Sequence, residues 1–65
     1  MKPLPFLTTE ELHTALRGHR ESLRMLQAHE PNWRRADRPR GLASIARVIE
    51  QINETEAELA MATAR

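Results

Sequence analysis

Residues 42–63 read LASIARVIEQINETEAELAMAT, and within them Leu42, Ile45, Ile49, Ile52, Glu56, Leu59 and Thr63 recur at alternating spacings of three and four. That period places the seven positions on one stripe of a helix and predicts a helix packed lengthwise against another, as in a coiled coil. The positions beside the stripe decide how many helices meet. A two-stranded coil carries charged pairs there, whereas this chain has Ala46, Val48, Asn53, Thr55, Ala60 and Ala62. A further row of small residues, Ala43, Ala46, Ala57 and Ala60, would let another backbone come close. A broad apolar face of this kind is the pattern of a bundle helix.

Upstream, Leu12, Leu16, His19, Leu23 and Leu26 show the same alternation and predict the helix against which the second packs. Its start is signalled by Thr8-Thr9-Glu10-Glu11. Thr8 is placed to accept from the amide three residues on, and Glu11 to return the bond, with Leu7 and Leu12 flanking as a hydrophobic staple. Pro31 ends the first helix, because a residue before proline avoids helical angles. Asp37 is then the expected cap of the second helix, with Pro39 in its first turn.

The expected architecture is therefore all-α. An extended, apolar arm over residues 1–7, set by Pro3 and Pro5, precedes a helical hairpin over 8–65, with helix one at about 9–30, a connection at about 31–37 and helix two at about 38–63. The 65 residues are few for a self-sufficient core, and no cysteine is present to staple one. Two hairpins pairing as a homodimeric four-helix bundle would supply what one lacks. The expected core of that oligomer is Leu12, Leu16, His19, Leu23, Leu26, Leu42, Ile45, Ile49, Ile52 and Leu59.

Two polar residues interrupt these seams. His19 stands between Leu16 and Leu23, where it reads as a partly buried histidine fixing helix register. Glu56 falls opposite Leu12 if Leu26 is aligned with Leu42, near the end of the bundle, and reads as a register device within reach of water or an arginine. The three histidines, His13, His19 and His29, do not share a helix face, and no cysteine accompanies them, so no metal is expected. No nucleophile and base pair, glycine-rich loop or paired carboxylates can be assembled, and neither an enzyme nor a cofactor or small-molecule site is expected.

The net charge is +1, but its distribution is uneven. Between Arg17 and Arg47 eight arginines face three acids, while from Val48 onward four glutamates face one arginine. Arg34, Arg35, Arg38 and Arg40 crowd beside Trp33 in the connection. Arg38 and Arg40 occupy a helix start, where the dipole favours anions, and Glu30 occupies a helix end, where it favours cations. Rule-breaking residues of this sort mark candidate functional positions. Trp33, Arg34, Arg35, Arg38 and Arg40 are thus the candidate partner-binding set, since Trp and Arg dominate interface hot spots.

A protein partner is favoured over a nucleic acid, because the net charge is modest and one Trp, one Phe and no Tyr leave little for base stacking. The resulting expectation is a small non-enzymatic regulator that binds and modulates another protein through its arm and its Trp/Arg-rich connection. The alternative is a nucleic-acid-binding regulator using the arginines on phosphates. No membrane role is expected, and the lack of a signal-length apolar stretch points to the cytoplasm.

Overall fold

The computed structural model describes residues 8–63. The expected arm over residues 1–7, including the staple residue Leu7, lies outside them. The chain is an all-helical hairpin: α1 spans Thr9–His29, two short 3-10 turns cover Glu30–Asn32 and Arg35–Asp37, and α2 spans Arg38–Thr63. At about 1.5 Å per residue the helices run roughly 31 and 39 Å, and they pack against each other along their length.

The start of α1 is fixed locally. Thr8 is extended (φ −71°, ψ 162°), its hydroxyl accepts from the Glu11 amide at 3.0 Å, and the Glu11 carboxylate accepts from the Thr8 amide at 2.9 Å. This reciprocal pair satisfies two donors that a helix start would otherwise leave open, and such a cap contributes about 1 kcal/mol.

The seam of α1 faces α2 as its spacing implies. Leu12 and Leu16 are 3% and 7% exposed, and His19, Leu23 and Leu26 are half-buried. On α2 the pattern is rotated from the one first read. Two heptad frames overlap there and share Ile45, Ile52 and Leu59. One frame adds Leu42, Ile49 and Glu56; the other adds Gly41, Val48 and Thr55. The hairpin adopts the second frame. Thr55 is buried with Ile52 and Leu59, and Val48 packs on the same cluster, while Leu42 and Ile49 remain 46% and 41% exposed and Glu56 and Thr63 are exposed.

Desolvation accounts for the choice. Burying the Glu56 carboxylate without a full set of partners would cost several kcal/mol. Thr55, by contrast, carries its own solution: its hydroxyl donates to the Gln51 carbonyl at 2.8 Å within α2, leaving its methyl for the core. Glu56 instead lies at the border of the helices and accepts from Arg20 Nη2 at 2.8 Å, so an arginine of α1 reaches it, although not opposite Leu12 in the seam. Exposed as this pair is, it contributes at most about 1 kcal/mol.

The enclosed core is small. Leu12, Leu16, Ile52 and Leu59 are its only buried apolar residues among those described, and no side chain falls below 2% exposure. Two helices side by side make a single layer. A single layer of two helices shields each seam from one side only, and for that reason the half-buried class is so well populated.

Candidate interaction site at the connection

The connection is built from two tight turns around an extended pair. Glu30 keeps helical angles (φ −54°, ψ −43°) although proline follows, and its amide bonds to the Gln27 carbonyl. Pro31 therefore does not expel its predecessor from the helical region. It ends α1 by lacking the N–H that the next rung of the ladder requires, and the chain tightens into a 3-10 turn closed by the Trp33 amide on the Glu30 carbonyl at 3.0 Å. Trp33 (φ −71°, ψ 140°) and Arg34 (φ −70°, ψ 154°) are extended. The second turn then begins, closed by the Asp37 amide on the Arg34 carbonyl at 2.9 Å, and runs straight into α2. Asp37 closes this turn and stands immediately before α2, the position read for it from the sequence.

The five residues singled out from the sequence end up in two different situations. Trp33 is half-buried with its ring on Gly41: a Cβ at position 41 would clash with the ring, 2.7 Å from Cε3 and 2.5 Å from Cη2. Only glycine lets the indole lie on the first turns of α2, so Trp33 acts as a wedge between connection and helix. Arg38 is half-buried too. Its Nη2 donates to Glu30 Oε2 at 2.9 Å, and its Nη1 points at the Glu30 carbonyl oxygen at 3.4 Å. The two residues that each oppose a helix dipole are therefore partners, and the guanidinium adds a second, longer contact to the Glu30 carbonyl, which already accepts from the Trp33 amide.

Arg34, Arg35 and Arg40 are different. All three are exposed, and none takes part in the ion pairs found among the described residues, which join Arg20 to Glu56, Arg24 to Glu21 and Arg38 to Glu30. Three guanidiniums, each with five donors and no carboxylate, thus stand at one end of the hairpin. The packing of Trp33 and Arg38 holds the backbone beneath them.

The role of Gly41 and the partner of Glu30 are not legible from spacing. The one signal was that Glu30 and Arg38 each offend a helix dipole and carry opposite charges eight residues apart across a tight turn. Elsewhere, an open depression on the first turns of α1 is lined by Glu10, Glu11, Thr14 and Ala15. No group of three or more potential metal ligands converges among the described residues, and no helix among them is long and apolar enough to cross a membrane.

No protein-family model, no curated protein and no solved structure matches this chain. Its own side chains are what carry a functional argument.

Proposed function

We propose that the chain is a non-enzymatic, homodimeric interaction module of the cytoplasm that binds and modulates another protein through the arginines of its connection. The observation behind this reading is the separation of roles within the cluster. Arg38 and Trp33 brace the turn, whereas Arg34, Arg35 and Arg40 are exposed, take part in no ion pair among the described residues and present donors suited to carboxylates on an acidic protein surface. The exposed edge of the half-buried Trp33 borders them, and the apolar arm is a further candidate contact.

Dimerisation, with a four-helix bundle as its product, is supported by the modest core of one hairpin and by Leu42 and Ile49, which a single chain leaves 46% and 41% exposed. The same three arginines favour one other reading, contact with nucleic-acid phosphates, since exposed guanidiniums serve both anions.

Capture from a lysate of the native host with the parent chain and with the R34Q/R35Q/R40Q variant, each with and without nuclease, separates these. A protein target should be retained by the parent, lost by the variant and indifferent to nuclease, with mild salt dependence. Phosphate binding should vanish with nuclease, and on a purified oligonucleotide log K should fall with log salt at a slope of about −3 per chain for three contacts. Equal capture by parent and variant would sink both readings.

A further inference from the structure

The side of α2 turned away from α1 carries a pattern the hairpin does not use. Ala43, Ala46, Glu50, Asn53, Ala57 and Ala60 recur at spacings of three and four, and all six are exposed. The row is close to a palindrome about a point between Gln51 and Ile52. An antiparallel second copy, related by a two-fold axis there, sets Ala43 against Ala60, Ala46 against Ala57 and Glu50 against Asn53, whose amide is a donor for the carboxylate. Alanine at the four outer positions allows close approach of two helix backbones. Small residues alone would not identify what covers this face; two further features do.

The first is charge. Arg47 and Glu54 border the row on one side, both exposed and both outside the ion pairs found among the described residues. Seven residues apart, they are separated by about 10 Å of helix rise and do not pair within α2. In the antiparallel copy each meets the other, twice per dimer. The larger asymmetry has the same sense. Arg34, Arg35 and Arg40 lie at the connection end and Glu54 and Glu58 in the opposite half of α2, so antiparallel copies place unlike ends together and parallel copies place like ends together. The second is apolar surface: Leu42 and Ile49, 46% and 41% exposed, border the row on its other side.

We infer that this face of α2 is the joint between two copies of the chain, packed α2 on α2 in antiparallel register about the midpoint of residues 51 and 52. The inference rests on the homodimer reading above, adds the surface, the direction and the register, and in place of a common four-helix core sets the two α1 helices on the outside of an α2–α2 joint. It also places the two arginine-bearing connections at opposite ends of the assembly, about 35–40 Å apart for helices of this length.

The natural absence of cysteine makes cross-linking a clean test. Ala46→Cys and Ala57→Cys variants, treated with a short bis-maleimide singly and as an equimolar refolded mixture, should give covalent dimer in the mixture and little in either alone. In parallel, Arg47→Glu and Glu54→Arg should each weaken dimerisation about tenfold through two like-charge contacts per dimer, and the R47E/E54R double variant should recover it. Efficient cross-linking of Ala46→Cys to itself would show a parallel joint and overturn the inference. So would a dimer by sedimentation in which neither the mixture cross-links nor the charge swap rescues, and there the homodimer reading would survive. A monomer at every concentration would remove both.

Discussion

At the open end of the hairpin Leu12, Leu16 and Leu59 are 3%, 7% and 9% exposed beneath a reciprocal capping box, whereas toward the connection Leu23, Leu26, Ile45 and Val48 stay half-buried and Leu42 is 46% exposed. The apolar contacts that close the first end thin out toward the second. There a ring on a glycine and a guanidinium clasping Glu30 take over. Burial is non-directional and tolerates sliding, while the wedge and the clasp each fix one geometry. The difference teaches where the chain can present charge: three arginines can stand exposed at the connection because its shape does not depend on them.

If that division is right, the largest single effect lies at the open end. Leu16→Ala removes a core residue from a cluster of four buried side chains and should cost about 2–5 kcal/mol. For a chain with so small a core that is most or all of its stability, and the helical signal at 222 nm should fall sharply at room temperature. A loss below about 1 kcal/mol in urea titration would show that the hairpin's stability does not reside there.

The wedge should come next. Gly41→Val puts branched carbons where the Trp33 ring lies, and overpacking of this kind costs about 1–3 kcal/mol. Its signature is local: the fluorescence of the single Trp33 should shift to the red as the ring is displaced, while most helical signal persists. An unshifted spectrum would mean that the ring does not rest on Gly41. A fully unfolded variant would deny that the two ends are separable.

Much of this architecture was legible because local rules and periodicity agreed. Thr8 and Glu11 form the cap that their spacing implied, and the leucines of α1 face inward as their period required. The rotation of α2 was hidden because two frames share Ile45, Ile52 and Leu59, and apolar content alone favours the one with Leu42 and Ile49. What decides between them is the unequal cost of burying Glu56 and Thr55, together with the room that Gly41 leaves for Trp33. Arg38 could not be told from Arg34, Arg35 and Arg40 for a similar reason. Charge and proximity in sequence are common to all four, and only the fold of the turn brings Glu30 to one of them.

The smallest expected effect concerns that pair and sharpens the comparison most. Arg38→Gln removes a charge-assisted bond of 2.9 Å between partners 41% and 34% exposed, so solvent screening limits the loss to under about 1 kcal/mol. Part of even that should be offset, because removing a cation from the start of α2 relieves an unfavourable dipole contact of about 0.3–1 kcal/mol. Glu30→Gln should behave alike, since it removes an anion from the end of α1. Each single variant can therefore appear nearly neutral while the pair is still coupled, and the measurement that resolves this is a double-mutant cycle. The Arg38→Gln and Glu30→Gln changes together should be less destabilising than the sum of the two alone by about 0.5 kcal/mol or more, and the coupling should shrink at high salt. Arg34→Gln in place of Arg38→Gln should show no coupling to Glu30. Equal coupling of both arginines to Glu30 would mean that the connection is one diffuse charge cloud, and the separation of bracing from presenting residues would fall with it.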